Sequence, residues 1–364
     1  MRIVPIEMQM QKDVIIEQMQ LSEQDNVLSF LETAYLENPR QSDPDFWDWH
    51  FRQPPFSEDG NLPVWLAKSG TRIAGQLAAI PVELNVGGET RPAIWILDLI
   101  VDPDFRRMGI AQKLVQAAER FCPYILGVNT NEQHAPALLQ KQGFVIVTKI
   151  QRFHKLLFPG EAFREVSKLG PLRPLANLAF APFRIGLDKE THVRTVTEFD
   201  ESFDRFWAEA KQQWPCSVSR SAAMLAWQFK QQPNKKYEIL GYFEKEKLLA
   251  YAVLFFRKPN KYGAIEKAAI SDICYGPQDP TNVVDELIRA SLKLAVDRRA
   301  GGLVTDALDP LLQERLRHFG FWPVKSGLQL MVKAPEHRDL LYDGSNWFLT
   351  RGDSDISIFE HPNN

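Results

Sequence analysis

Apolar residues along this chain follow two periods, two and about 3.6, and the order in which these runs succeed one another occurs twice. In the first half, Val14 to Met19 alternates as a strand, and a helical stretch runs from about Glu23 to Leu36. The aromatic run "FWDWHFRQPPF" follows, closed by two prolines. "VWLAKSGTRIAGQLAAIPVELNVGGETRPAIWILDLIVD" predicts successive strands with turns at "SGT" and "GGE". A helix from about Met108 to Phe121, a strand at "YILGVN", a helix around Pro136 to Gln142 and strands in "GFVIVTKIQRFHKLLF" complete the half. From His192 the order restarts with a strand at "VRTVTEF" and a helix at "DESFDRFWAEAKQQW", whose first turn is acidic as the helix dipole prefers. Strands at "YEILGYFEKEKLLAYAVLFF" and "KAAISDICY", a helix from about Val283 to Val296, a strand at "GGLVTDAL", a further helix and "HFGFWPVKSGLQLMVKA" follow.

Three landmarks tie the halves together. "AWQFKQQP" echoes "DWHFRQPP", which sets Trp227 against Trp49 at an offset of 178 residues. Asp272 in "SDICY" matches Asp98 at 174, and Gly320-Phe321 matches Gly143-Phe144 at 177. Three landmarks in one order at near-constant spacing argue for a tandem duplication. The expected units are 1–158, a connector over 159–190, a second unit over 191–345 and a tail over 346–364. The connector, with "LGPLRPLANLAFAPFRIGL", is too apolar for a free linker and predicts one or two short helices packed on the rest. Each unit should be a mixed sheet flanked by helices, an α/β or α+β arrangement.

Composition narrows the function classes. The chain has 364 residues, 45% hydrophobic and 24% charged, an ordinary globular balance. Its 43 basic and 46 acidic residues give a net charge of −3, with no field suited to nucleic acid. Cys122, Cys216 and Cys274 are odd in number and far apart, which suits buried thiols in a reducing compartment rather than disulfides or zinc; no metal site is expected. "MRIVPIEMQMQKDVIIEQ" lacks the apolar core of a signal peptide, and no apolar stretch is long enough to span a bilayer. A cytoplasmic protein without membrane insertion is expected.

The chemistry concentrates at "DLIVDPDFRRMGIAQKLV", Asp98 to Val115, where a strand ends in two arginines and a glycine before an amphipathic helix. The first turn of a helix leaves backbone N–H groups unpaired and carries positive partial charge, so a diphosphate can dock there if the chain approaches closely. Gly109 gives access, Ala111 keeps the next turn shallow, and Arg106, Arg107 and Lys113 add charge. A surface turn with solvated arginines is the other reading. The aromatic segments also carry two. Trp49 and Trp227, present in both halves, suit the core, whereas Phe46, Trp47 and His50 are not shared and could face an acceptor.

"LIVDPDFRRMGIAQKL" fits L-x-V-x-P-x-x-R-x-x-G-x-A and resembles the GNAT superfamily, the Gcn5-related N-acetyltransferases. Arg106, Gly109 and Ala111 meet its (Arg or Gln)-x-x-G-x-(Gly or Ala) signature, and "NEQHAPALLQKQGF", Asn131 to Phe144, resembles its Asn-containing segment ending in Gly-Phe. The resemblance implies two tandem GNAT-like domains, each with a mixed, mostly antiparallel central sheet flanked by helices. It implies acetyl-CoA as co-substrate, with the amides of Arg107, Met108, Gly109, Ile110 and Ala111 around the pyrophosphate. Leu99, Ile100 and Val101 would pair with the pantetheine arm, and Asn131 would lie beside it, with Asn129 as the alternative. Asp98 is the candidate base or anchor for an acceptor amine. The alternative for Asp98 is structural, since Asp272 persists where the loop does not. The tyrosine that often serves as acid is replaced by Leu139, and Glu132 and His134 fall near the implied cleft or in a solvated loop.

"YGPQDPTNVVDELI" has Asp279, Asn282 and Val284 in place of the signature, so the second half is expected to hold no CoA and to wall off a substrate cleft. The tail "WFLTRGDSD" reads as solvated, with cation binding by Asp353 and Asp355 as the other option; its weak likeness to proteins of bacterial surface polysaccharides hints at an amino-sugar acceptor. The implied activity is acetyl transfer to a primary amine of a small molecule or sugar. The rivals are a peptide or protein amine, an aminoacyl transferase of cell-envelope type, and a non-catalytic acyl-CoA sensor.

Overall fold

The long alternating run after Pro63 pairs as its periodicity demands, and the second half repeats the result. The computed structural model describes residues 13–36, 39–58, 60–129, 135–160, 172–179, 181, 192–257 and 267–353. The first half contributes strands β1 (Ile15–Gln18), β2 (Val64–Ser69), β3 (Arg72–Val86), β4 (Glu89–Val101), β5 (Ile125–Asn129), β6 (Val145–Lys149) and β7 (Gln151–Leu156). Its helices are α1 (Gln24–Ala34), α2 (Pro44–Arg52), α3 (Ile110–Phe121) and α4 (Ala135–Lys141), followed by α5 (Arg173–Ala179) in the connector. The second half contributes β8 (Val193–Val196), β9 (Cys216–Val218), β10 (Tyr237–Glu244), β11 (Lys247–Phe256), β12 (Ala268–Tyr275), β13 (Gly302–Ala307), β14 (Trp322–Val324), β15 (Gln329–Lys333) and β16 (Trp347–Phe348). Its helices are α6 (Glu201–Ala210), α7 (Ala222–Phe229), α8 (Pro280–Asp297), α9 (Pro310–His318) and α10 (Arg338–Leu341).

Two mixed sheets result, with orders β1-β2-β3-β4-β5-β15-β6 and β8-β10-β11-β12-β13-β7-β14. The orders correspond strand for strand, and in each the sixth place is taken by a strand from the other half. β15 lies antiparallel between β5 and β6, with Leu330 opposite both Val128 and Thr148. β7 lies between β13 and β14, with His154 opposite Val304 and Trp322. Divisions at 158 and 191 therefore do not separate the sheets. The apolar positions decide the exchange: Leu330, Met331 and Val332 are buried in the first core and Phe153 in the second.

The shared tryptophans meet where the halves join. Trp49 on α2 and Trp227 on α7 stack with centroids 5.0 Å apart and planes 16° off parallel. Each indole N–H donates to the other's backbone carbonyl at 2.9 Å. This reciprocity explains why both halves carry the residue, as expected of a core role. Phe46, Trp47 and His50 are not turned to an acceptor but buried, at 2%, 0% and 0% exposure, because α2 packs that whole aromatic face inward. Trp49→Ala should cost about 3–5 kcal/mol, measured as a fall in denaturant midpoint, since it opens a cavity and leaves a buried indole donor of the partner facing a disturbed carbonyl.

The tail is no solvated appendage. β16 pairs parallel with β9, which pairs with β3, and Phe348 stacks on Trp214 at 3.8 Å. Arg351 bonds to the fully buried Asp306, which also accepts from Arg152 Nε at 2.8 Å, and Asp353 pairs with Arg220 at 2.5 Å. The charges are paired inside rather than hydrated, which also argues against a cation at Asp353; Asp355 lies outside the described residues. Asp306→Ala deprives the buried Arg351 guanidinium of this carboxylate and should lower stability by about 3–5 kcal/mol in a urea melt. In the connector, α5 forms as expected, but its Leu175 and Leu178 are exposed at 64% and 68% rather than packed. Cys122, Cys216 and Cys274 are free and buried. Among the described residues no helix is long and apolar enough to cross a membrane.

Candidate active site

The site begins with an irregularity in a hairpin. β3 and β4 pair with Gly75 opposite Val101 and Gln76 opposite Ile100, but Ala78 is opposite Leu97. Two β4 residues, Asp98 and Leu99, thus face one β3 residue, Leu77, and form a bulge. Asp98 takes the left-handed conformation, φ 51°, which costs a non-glycine residue about 1–2 kcal/mol and here lies at the candidate site.

Ahead of the bulge β4 has already left its other neighbour. Its parallel pairing with β5 covers only Ile94–Ile125 and Trp95–Leu126, after which β5 continues beside β15. Among the described residues nothing pairs with the edge of β4 over Leu99, Ile100 and Val101 on the β5 side, and all three residues are half-buried. The open edge leads into a turn held from outside: Arg72 pairs with Asp102 at 2.7 Å and Asp104 at 2.8 Å and covers the buried Phe105 ring.

Arg107 and Gly109 then both take positive φ, 67° and 73°. Gly109 is the N-cap of α3 and offers no side chain to cap it, and the first turn contains no acidic residue. Helices α2, α6, α7 and α9 are instead capped by the side chains of Asp43, Asp200, Ser221 and Asp309. The first amide of α3 with a protein acceptor is that of Lys113, to Gly109 O at 3.1 Å. Those before it have no acceptor among the described residues and lie beside the exposed Arg106, Arg107 and Met108. Ile110 is buried and Ala111 half-buried on the same turn. A Cβ on Gly109 would meet nothing within 4 Å beyond its own chain neighbours, so the space before the helix is open. Gly75, which sequence reasoning missed, lets α3 close on the bulge: a Cβ there would lie 2.8 Å from Ile100 O and 3.3 Å from Ile110.

Asp98 has a partner the sequence did not reveal. Tyr35, at the C-cap of α1, donates its hydroxyl to Asp98 Oδ1 at 2.5 Å. Oδ2 is buried and, among the described residues, has no hydrogen-bond partner. Part of the residue reaches the surface, yet the carboxyl is enclosed. Burial raises its pKa to about 6, and the Tyr35 hydrogen bond acts in the opposite direction. Gln76, also missed, is fully buried with both amide atoms unpartnered among the described residues. Leu139 is buried and apolar as read; Asn131, Glu132 and His134 lie outside the described residues, as does the Asn129 side chain.

The second half supplies the internal control. β12 also bulges, pairing Asp272 with Val253 and Ile270 with Leu254, and it pairs with β13 only at Ala268 and Ala269. Here the gap is filled by the chain itself. Thr350 bridges to Ala307, Leu308 N donates to Leu349 O, and Gly352 packs so tightly that a Cβ would lie 3.0 Å from Ser271 O. Asp272 has no free oxygen: Tyr251 donates to Oδ2 at 2.6 Å, Thr350 to Oδ1, and Arg220 lies against both. Asp272 does not share the positive φ of Asp98. Its helix begins at Asp279 and Pro280, so an acidic residue and a ring replace an open amide. Between the halves, Ile80, Trp95, Arg220, Trp227 and Asp353 line a narrow crevice of about 20 Å³, room for about one water molecule.

Residues 16–123 match the family profile described as an acetyltransferase (GNAT) domain. Human N-acetyltransferase 8 is 34% identical over 94 residues, which cover 24% of this chain and 40% of that protein, so the chain spans well under two thirds of this relative. The fold of nearly the whole chain is found in solved structures. A probable N-acyltransferase of Enterococcus faecalis superposes with a TM-score of 0.61 at 11% identity, covering 90% of this chain and 74% of that one. A GCN5-related N-acetyltransferase from Anabaena variabilis gives 0.59 at 12%, covering 88% and 72%. Saccharomyces cerevisiae N-myristoyltransferase with bound myristoyl-CoA gives 0.55 at 15%, covering 91% and 80%.

Proposed function

We propose that this chain, a member of the GNAT superfamily through its residues 16–123, is an N-acyltransferase that moves an acetyl group from acetyl-CoA to a primary amine of a small molecule or amino sugar. The observation that carries the reading is continuous: an unpaired β4 edge starts at a carboxylate with one free oxygen and ends at a helix N-terminus with neither cap nor acidic residue. A thioester with a diphosphate at its far end suits such a track. The open amides from Arg107 to Ala111, with Arg106 beside them, take the pyrophosphate. The edge at Leu99, Ile100 and Val101 pairs with the pantetheine arm and aims the thioester carbonyl at the bulge. The structures with which the chain shares its fold include one holding myristoyl-CoA, which supports an acyl-CoA here.

The reaction is attack by a neutral amine on the thioester carbon. The C–N bond forms, the tetrahedral intermediate collapses, and the C–S bond breaks to release CoA thiolate. An alkyl ammonium with a pKa near about 10.4 must first lose a proton. Asp98 Oδ2, buried and without a partner among the described residues, is the acceptor we assign, and a carboxyl poised at about 6 is ionised at neutral pH yet more basic than an ordinary aspartate. An alkyl thiolate is a far better leaving group than an alkoxide, so its protonation can fall to water where Leu139 offers no donor.

We read the second half as a degenerate copy that binds no CoA, because its gap is occupied by residues 349–353 and its helix start by Asp279 and Pro280. Calorimetry should give one acetyl-CoA per chain, and thiol release over a panel of small amines and amino sugars should identify the acceptor. Absence of acetyl-CoA binding sinks the proposal, and binding with no turnover on any amine would shift it to an acyl-CoA sensor, the reading that Leu139 favours.

A further inference from the structure

A carboxylate on a bulge, in a left-handed conformation, does not inherit its direction from the alternation of its strand. Asp98 is in that position, and something besides β4 must orient it. Among the described residues one hydrogen bond reaches its side chain, from Tyr35, which lies 63 positions away in sequence. Tyr35 is itself fixed at the end of α1, where its amide donates to Leu31 O at 2.8 Å.

The comparison between halves gives the bond its meaning. Asp272 also receives a tyrosine hydroxyl, but Thr350 and Arg220 engage it as well, and it is locked into the core. Asp98 is held at Oδ1 alone, with Oδ2 buried and open. A single tether on a strained residue fixes the carboxyl plane while leaving one oxygen for chemistry. We infer that Tyr35 is a positioning residue for the proposed acyl transfer, its hydroxyl fixing Asp98 Oδ1 so that Oδ2 takes the acceptor's proton. This rests on the acyltransferase reading.

The hydrogen bond also sets when Asp98 is ionised. Burial raises its pKa and the Tyr35 bond counters that rise. Among the described residues no charged side chain acts on it from β3, α1 or β5. Removing the hydroxyl leaves burial unopposed, so the midpoint moves up from about 6, by roughly one to two pH units for a hydrogen bond to a charged group.

The test uses the full chain with carboxyl-13C aspartate, the Asp98 resonance being assigned by its loss in Asp98→Asn. Tyr35→Phe should titrate roughly one to two units above the wild type. Its kcat should be depressed about two- to tenfold near neutrality and recover as pH rises through the new midpoint, with KM for acetyl-CoA unchanged. If the phenylalanine variant fails to fold, 3-fluorotyrosine incorporation provides a more acidic, stronger donor, and the midpoint should fall. An unmoved midpoint in either protein overturns the inference. So does a shifted midpoint with an unaltered pH–rate profile, which would make the bond merely structural. Turnover surviving Asp98→Asn would instead overturn the assignment of Asp98, and the two failures are thereby told apart.

Discussion

Gly109→Glu is expected to abolish acetyl-CoA binding, raising Kd by at least about 100-fold, because two or more charge-assisted hydrogen bonds are lost. No protein atom lies within 4 Å of a Cβ at this position, so the carboxylate enters the open space before α3 and leaves the core alone. There it takes the place of a phosphate and accepts from the same amides. The φ of 73° adds about 1–2 kcal/mol of strain for a non-glycine residue, so a modest fall in Tm accompanies the loss. Gly109→Ala carries the strain without the charge and should retain most of the affinity. Calorimetry with acetyl-CoA on both variants separates the two effects. Equal affinities in Gly109→Glu and the wild type would remove α3 from the cofactor site.

Asp98→Asn is expected to lower kcat by about 10²–10⁴-fold while acetyl-CoA binds as before. The same change should stabilise the protein at alkaline pH. The folded pKa, about 6, lies above the ordinary value of 3.8, so the fold prefers the protonated carboxyl. The penalty is absent below the ordinary value, grows between the two and is complete above about 6. Its ceiling is about 3 kcal/mol, and about 1–2 is expected because part of the residue meets water. Asparagine keeps the carbonyl acceptor for Tyr35 and carries no charge. Melts of both proteins should therefore coincide near pH 4 and separate by several degrees at pH 8, with the variant higher. A variant less stable than the wild type at pH 8 would mean that Asp98 serves structure, as Asp272 does.

Much of this was legible in the residues. Hydrophobic period located most strands of both sheets and helices α1, α3, α4, α6, α8 and α9, because each sheet has an apolar face that a register slip would expose, but it did not reveal α2, α7, α10, β9 or β16. The Arg106–Gly109–Ala111 spacing identified the junction before α3, since glycine takes a left-handed N-cap at no steric cost and leaves the space before the helix open. Three things were not legible. The Tyr35–Asp98 bond joins a helix end to a bulge, and neither a bulge nor a contact across 63 residues leaves a periodic trace. The exchange of β7 and β15 was hidden because a strand's alternation records its buried face and not which sheet buries it. The tail was misread because Arg351 and Asp353 look solvated until their buried counter-charges, Asp306 and Arg220, are known.

The crossed strands bear on how the chain reaches its native state during synthesis. The first sheet has its β5 and β6 in place by Lys149, but the strand that joins them, β15, begins only at Gln329. Until then β5 and β6 are two unsatisfied edges, and loop closure across some 180 residues must precede their pairing. The nascent first half, including the proposed cofactor track, is therefore an open-edged intermediate exposed to mispairing for the time the ribosome needs to add the second half. A stalled or truncated chain ending before Gln329 should be captured by chaperones or aggregate, whereas the complete chain should unfold with both sheets in one cooperative step.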